Sequence, residues 1–175
     1  MLERVRYRVA LPGDAADQGE VFHHAVMQGA AGHYSLTQRE AWASALPREA
    51  AAWAARQTLF TTLVATCDRR CVGFVELDFR EGRIETLYVW PALARRGIGS
   101  RLLDYAEEEM RANGIGRLRI EASLTLAPGL ERRGWARLGE EWVERQGERL
   151  NRVVLEKALA LPGGSARRHL GDAHR

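Results

Sequence analysis

The segment that most restricts the fold runs from residue 87 to residue 100, where a strand pattern passes through a basic loop into a helix. Gly97 and Gly99 stand at the start of that helix. The first backbone N–H groups of a helix have no acceptor within it, and the helix dipole adds positive potential there. Glycines let an anion approach this backbone, and three arginines add charge at the rim: Arg95, Arg96 and Arg101. The segment therefore predicts a site for a diphosphate.

The elements around this segment follow from hydrophobic periodicity and turn residues. Strands are predicted at residues 4–11, 60–66, 72–79, 83–90, 118–122, 135–143 and 152–158. Helices are predicted after Asp14, after Ser35, and at residues 47–56, 98–113 and 128–133. The short connections between the second, third and fourth strands indicate an antiparallel meander. The glycine loop thus follows a meander and precedes a helix and the remaining strands.

Charge and cysteine content argue against several classes of function. The chain has 26 basic and 23 acidic residues spread along most of its length, which does not suit a nucleic-acid-binding module. No apolar stretch approaches the ~20 residues of a membrane span, and no signal-type segment follows Met1, so we expect a cytoplasmic protein that does not bind membranes. Cys67 and Cys71 lack the spacing of a zinc site, so no metal is expected.

The order of these elements resembles the GNAT superfamily of acyl-CoA-dependent N-acyltransferases over about residues 4–158. The phosphate loop of that family is usually written Gln/Arg-x-x-Gly-x-Gly/Ala and follows a strand that ends in Leu-Tyr-Val-x-Pro. Gly97 and Gly99 match the two glycines, whereas Ala94 replaces the Gln or Arg. The strand end is matched by Leu87, Tyr88, Val89 and Pro91. Further resemblances are found at residues 121–124, 131–135 and 153–157.

The resemblance implies one α/β domain over residues 1–160. Its sheet would be mixed, mostly antiparallel and twisted, with about seven strands and helices on both faces. Residues 161–175 are mainly small, polar and basic, and we expect them to form a disordered tail.

The resemblance also implies acetyl-CoA as the co-substrate. Its diphosphate would lie on the glycine loop, where Arg95 or Arg96 would make the contact that Ala94 does not provide. Its pantetheine arm would insert between the strands predicted at 83–90 and 118–122, which splay apart in this family. The residues implied to bind acetyl-CoA are Leu87, Tyr88, Val89, Ala94, Arg95, Arg96, Gly97, Ile98, Gly99, Ser100 and Arg101.

In this family an amine attacks the thioester directly, and a carboxylate in the cleft is implied as the general base. Glu85 is the first candidate, because regular alternation along a strand places it on the face of Leu87 and Val89. Glu76, on the preceding strand, is the second candidate. The structural alternative for Glu85 is an ion pair with Arg83 or with a neighbouring strand.

Two further regions concern the leaving group and the acceptor. Where superfamily enzymes often carry a tyrosine that protonates the leaving thiolate, this chain has Leu130. The segment that usually builds the acceptor pocket contains His23, Tyr34 and Trp42, although packing positions are the alternative for His23 and Trp42. We expect a small-molecule amine as the acceptor. A peptide N-terminus or lysine, a non-catalytic acyl-CoA sensor and a homodimer remain open.

Overall fold

The computed structural model describes residues 4–161, so the tail expected at 161–175 lies outside it except for Leu161. The strands are β1 (Arg6–Val9), β2 (Thr61–Cys67), β3 (Arg70–Asp78), β4 (Arg83–Val89), β5 (Arg117–Ser123), β6 (Ala136–Arg145) and β7 (Glu148–Ala158). The α-helices are α1 (Ala15–His24), α2 (Leu36–Ala43), α3 (Ala50–Leu59), α4 (Ile98–Ala112) and α5 (Ala127–Arg132). Each of the predicted elements is therefore present, with shifted boundaries.

The strands form a single sheet in the order β1-β2-β3-β4-β5-β7-β6. Neighbouring strands are antiparallel except for β4 and β5, which are parallel. Strands β2, β3 and β4 form the expected meander. The mixed, mostly antiparallel α/β sheet predicted from the resemblance is confirmed.

Helices cover both faces of the sheet. Helix α4 buries its apolar stripe on one face, where Leu102 and Met110 are inaccessible to solvent. Helices α1 and α3 cover the other face around the buried rings of Phe22 and Trp53. Burial of such side chains is the main contribution to the stability of the fold. Across residues 4–161, no helix has the length and apolar character needed to cross a membrane.

Two boundaries differ from the sequence-based prediction for identifiable reasons. Helix α3 begins at Ala50 rather than at Pro47, because the Pro47 carbonyl accepts a hydrogen bond of 2.9 Å from the Trp53 indole instead of one from a helical backbone N–H. Strand β7 begins already at Glu148, because β6 and β7 are joined directly by a turn at Gln146 and Gly147. Both turn residues have positive φ, which suits a tight hairpin connection.

Candidate active site

A cleft opens where β4 and β5 separate. The two parallel strands pair only at their beginnings, where Arg83 faces Arg119 and Ile84 faces Ile120. Beyond this point the backbones diverge and a cavity of about 570 Å³ lies between and above them. Trp90 donates a backbone hydrogen bond of 2.8 Å to Val72 on the β3 side. Because successive N–H groups alternate sides along a strand, the N–H of Val89 points towards the cleft.

The cavity is assembled from parts of the chain that are distant in sequence. Residues 85–88 of β4 and 120–123 of β5 form one side. The hairpin of β6 and β7 contributes residues 143–146 and 150–152. The remaining walls come from helices α1, α2 and α3 and from the segments before α2, α3 and α5, through Phe22, Tyr34, Trp42, Ala45, Leu46, Arg56 and Leu126.

The glycine loop lies at the C-terminal end of β4, next to the cleft. Gly97 adopts φ of 86° as the residue immediately before α4, a left-handed conformation that favours glycine. The N–H groups of Gly97, Ile98, Gly99 and Ser100 have no acceptor among residues 4–161. A side chain added at Gly97 would meet no atom within 4 Å, so the space in front of this backbone is open. Four free donors at the N-terminus of a long helix suit an anion.

The arginines around the loop keep their charge available. Arg95 and Arg96 are exposed and form no ion pair within the described chain. Arg101 lies over the ring of Tyr105, with its guanidinium carbon 5.6 Å from the ring centroid. Ala94 is exposed and offers only a methyl group. The donors and charges around the loop thus fit a diphosphate, with Arg95 and Arg96 next to the free N–H groups.

Glu85 lines the cavity at a bulge of β4. Thr86 pairs with Glu76 and Ile84 pairs with Leu77, so Glu85 has no partner residue on β3. The extra residue breaks the regular alternation of the strand. Ile84, rather than Glu85, therefore joins the apolar core beneath α4. The prediction that Glu85 shares a face with Leu87 and Val89 rested on an unbroken strand, which the bulge removes.

The Glu85 carboxylate is only partly buried and forms the ion pair that was considered as its structural alternative. Arg83 donates from Nε at 3.1 Å, and its Nη2 lies 3.0 Å from the same oxygen. This contact uses Oε2 and leaves Oε1 without a partner among the described residues. Glu85 therefore contacts Arg83 through one oxygen and lines the cavity with the other oxygen free.

Glu76 has a different environment from Glu85. Its side chain is completely buried and does not line the cavity. Arg56 donates to its two oxygens at 2.6 and 2.9 Å, and Thr86 donates at 2.7 Å. Burial opposes the charge of Arg56, but the hydrogen bonds to Glu76 and the nearby charge of Glu85 outweigh this effect and raise the Arg56 pKa. Both oxygens of Glu76 are thus engaged in an internal ion pair.

Two of the three predicted acceptor residues lie in the cavity. The Tyr34 hydroxyl donates to the Asn151 carbonyl at 2.6 Å and accepts from the Leu124 N–H at 3.0 Å. The Trp42 ring stands edge-on to Tyr34, with centroids 5.4 Å apart. His23 instead lines a separate, more open depression beside Arg48. The structure therefore brings Tyr34 and Trp42 together and leaves His23 outside.

Sequence reasoning did not identify Arg56 or the hairpin of β6 and β7 as parts of the site. Arg56 is the only charged residue of α3, which is otherwise largely apolar, and a lone charge in such a helix was the available signal. The position of the hairpin depends on the tertiary fold and has no local signal. Leu130 is fully buried in the core beneath α4, so no proton donor lies at that position.

Comparison with known proteins agrees with this geometry. Residues 20–153 match the model of the acetyltransferase (GNAT) domain. The chain is 30% identical over 146 residues to the uncharacterized N-acetyltransferase YafP of Escherichia coli (strain K12), covering 83% of this chain and 91% of that protein. It is 34% identical to a GCN5-related N-acetyltransferase structure from Rhodopseudomonas palustris, with a TM-score of 0.83 and coverage of 91% and 98%.

More distant structures share the fold. The PaiA N-acetyltransferase of Thermoplasma acidophilum, solved in complex with coenzyme A, is 21% identical, with a TM-score of 0.69 and coverage of 89% of this chain and 99% of that one. A putative acetyltransferase from Salmonella typhimurium, solved with acetyl-CoA, is also 21% identical, with a TM-score of 0.62 and coverage of 93% and 99%.

Proposed function

The chain belongs to the GNAT acetyltransferase family, and from this premise we propose that it transfers the acetyl group of acetyl-CoA to the amine of a small molecule. The observation that carries the proposal is one continuous cavity, which extends from the separated strands β4 and β5 to the rings of Tyr34 and Trp42 and is lined by Glu85. One end of it is suited to a thioester, and the other to the group that attacks it.

The glycine loop and the cleft would bind the co-substrate. The free N–H groups of residues 97–100 and the charges of Arg95 and Arg96 would hold the diphosphate. The diverging edge of β4 offers unpaired backbone groups, to which the pantetheine amides would bind as a short additional strand. When bound, acetyl-CoA supplies an acetyl group already activated as a thioester. The N–H of Val89 points into the cleft and would stabilise the negative charge on the carbonyl oxygen.

Glu85 would take the proton of the attacking amine, either directly or through one water molecule. The nitrogen forms a bond to the acetyl carbon, the carbon–sulfur bond breaks, and the electron pair leaves with the sulfur as a thiolate. A thiol of this type has a pKa of about 8.5, so its thiolate is a moderately good leaving group. Departure without an enzymatic acid is therefore consistent with Leu130 at the usual position of the tyrosine.

Release of free CoA thiol tests this proposal, measured with acetyl-CoA and a panel of small amines and short peptides. In Glu85→Gln, kcat should fall by on the order of 10²–10⁴ while the affinity for acetyl-CoA is unchanged, because the amide keeps the volume but accepts no proton. Glu81→Gln is the matched control, since Glu81 is exposed in the turn before β4 and does not line the cavity.

Three results would contradict the proposal in different ways. If Glu85→Gln turned over within a few-fold of the wild type, Glu85 would not be the general base and would serve only as the ion-pair partner of Arg83. Activity with peptides alone would indicate a protein acetyltransferase. Binding of acetyl-CoA without thiol release for any acceptor would indicate a sensor.

A further inference from the structure

Strand β4 changes the direction in which its side chains point at Glu85. Ile84 belongs to the core beneath α4, on one face of the sheet. The Thr86 hydroxyl donates to Glu76, and Arg56 of α3 donates to the same carboxylate on the opposite face. In a regular strand, the two residues that flank a third share a face. The bulge at Glu85 removes this alternation, so Ile84 and Thr86 point to opposite faces.

The position of the bulge decides which face Glu85 occupies. Glu85 contacts Arg83, two residues earlier, and lines the cavity on the same side of the sheet as Thr86. If the shift in register fell before Glu85, regular alternation with Thr86 would turn the carboxylate towards the core beneath α4. The cavity would then lose this carboxylate.

Three polar side chains hold the register at this point and are called the polar clamp here: Arg56, Glu76 and Thr86. Thr86 donates to Oε1 of Glu76 at 2.7 Å, and Glu76 is also its partner residue on β3. Arg56 donates to the two oxygens of Glu76 at 2.6 and 2.9 Å. The Arg56 guanidinium carbon lies 5.3 Å from the ring centroid of Trp53 and 5.2 Å from that of Phe60. The polar clamp thus ties β3, β4 and α3 together next to the bulge.

Burial makes the polar clamp sensitive to the register. Glu76 is completely buried, so its charge must be balanced by donors within the protein. A buried ion pair contributes little net stability compared with apolar side chains, but the loss of one partner is strongly unfavourable. A slip that moved Thr86 away would leave this buried carboxylate with one donor fewer. The polar clamp therefore disfavours registers in which Thr86 does not face Glu76.

We propose that the polar clamp sets the bulge of β4 and thereby holds Glu85 in the cavity. Arg56, Glu76 and Thr86 are then positioning residues for the reaction, and Glu76 acts through Glu85 rather than as a base. The inference rests on the proposed function, in which Glu85 accepts the amine proton. It gives the ion pair of Arg56 and Glu76 a role that the stability of the core does not require.

Removal of one hydroxyl group tests the polar clamp. Thr86→Val keeps the shape of the side chain but cannot donate to Glu76. Its kcat should fall by about 10–10²-fold, while the KM for acetyl-CoA changes by less than about threefold, because the glycine loop is not touched. Thr86→Ser restores the donor and should return kcat to within about threefold of the wild type.

Thr62→Val is the matched control. Thr62 is the partner of Glu76 on β2 and is buried like Thr86, but its hydroxyl has no hydrogen-bond partner within residues 4–161. Replacement of an unpaired buried hydroxyl by a methyl group is nearly neutral, so kcat should stay within about twofold of the wild type. The melting temperature of each variant shows that it is folded at the assay temperature.

A second variant changes the other end of the polar clamp. Arg56→Lys keeps the positive charge, but an ammonium group cannot contact both oxygens of Glu76 as the planar guanidinium does. We expect kcat to fall by about tenfold without a comparable change in the KM for acetyl-CoA. This variant tests the inference even if Thr86→Val does not fold.

Hydrogen exchange reports on the bulge without any reaction. In Thr86→Val, the backbone amides of residues 83–88 should exchange about tenfold faster than in the wild type, because the register of β4 is no longer held. Thr62→Val should leave this exchange unchanged.

The outcomes separate this inference from the proposed function. Equal kcat values for Thr86→Val and Thr62→Val would overturn the inference and leave the transferase activity established. A Thr86→Ser variant no more active than Thr86→Val would overturn it as well. If the wild type releases no thiol with any acceptor, the proposed function fails and hydrogen exchange alone decides. Faster exchange in Thr86→Val would then support the polar clamp, and unchanged exchange would overturn it.

Discussion

Glu76 and Glu85 lie on adjacent strands, yet only one of them reaches the cavity. The sequence placed both residues on strands correctly. It did not reveal the bulge at Glu85, because a bulge exists only relative to the register of the neighbouring strand β3. It also did not reveal that Arg56, 20 residues before Glu76 in the chain, neutralises Glu76. The choice between two candidate bases therefore required the paired sheet.

The pH dependence of the reaction tests whether the hydroxyl of Tyr88 donates a proton to the leaving thiolate. Its ring lines the cavity, and burial raises the pKa of its hydroxyl above the usual value of 10.0. A raised pKa means that the folded protein retains this proton as the pH rises past 10, so the hydroxyl stays neutral throughout the assay range. We expect kcat/KM to rise with pH as the acceptor amine loses its proton, and not to fall before about pH 10.

The pH–rate profile of Tyr88→Phe beside the wild type provides the measurement. The two profiles should have the same shape, and kcat should differ by less than about tenfold, because a CoA thiolate leaves without an acid. A falling limb below pH 10 in the wild type that disappears in Tyr88→Phe would show that Tyr88 donates the proton. The proposal that the CoA thiolate leaves without an enzymatic acid would then be wrong.

At the scale of the elements, periodicity predicted the helices and strands well, and α4 shows why. Its apolar residues recur at helical spacing, and they are buried as expected. No local sequence pattern predicted that β4 and β5 separate. The two strands pair at only two positions, and this depends on how the whole sheet is arranged. The family resemblance, rather than periodicity, was the source of the expected cleft.

Helix α1, which carries the cavity residue Phe22, packs closely against α3 and the residues just before it at Gly19. A side chain at Gly19 would place its Cβ 2.4 Å from the Arg48 carbonyl oxygen and 3.2 Å from the Trp53 ring. We therefore expect Gly19→Ala to lower the free energy of unfolding by about 1–3 kcal/mol, because α1 must move away from the Arg48 backbone and from α3.

Chemical denaturation of Gly19→Ala beside Gly13→Ala measures this effect. A side chain at Gly13 would meet no atom within 4 Å, so the control should change stability by less than about 0.5 kcal/mol. Equal stabilities of the two variants would mean that α1 and α3 are not as close as the structure shows.

At the scale of the whole molecule, the cavity of the candidate site joins the β4–β5 cleft, the aromatic rings of Tyr34 and Trp42, and the hairpin of β6 and β7. The glycine loop lies beside it, at the end of β4. The glycine loop was predictable, because its strand, glycines and helix are consecutive in sequence. Tyr34 and Asn151 were not predictable as neighbours, since 117 residues separate the two partners of that hydrogen bond. Local signals thus located the glycine loop, whereas the residues around the cavity come together only when the chain is folded.

The thermal shift caused by acetyl-CoA tests the central claim most directly, which is that the glycine loop and the cleft together bind acetyl-CoA. The variant carries Arg96→Glu and Gly97→Asp, which place two negative charges in front of the free N–H groups. Arg80→Glu, in the exposed turn before β4, is the charge-reversal control. Each melting temperature is compared with that of the same protein without ligand, so a loss of intrinsic stability in the double variant does not affect the comparison.

At a ligand concentration about 100 times the dissociation constant, the wild type and Arg80→Glu should melt roughly 5–10 °C higher than without ligand. The double variant should show no shift at the same concentration, because two carboxylates repel the diphosphate. An undiminished shift in a fully folded double variant would contradict the assignment of the loop.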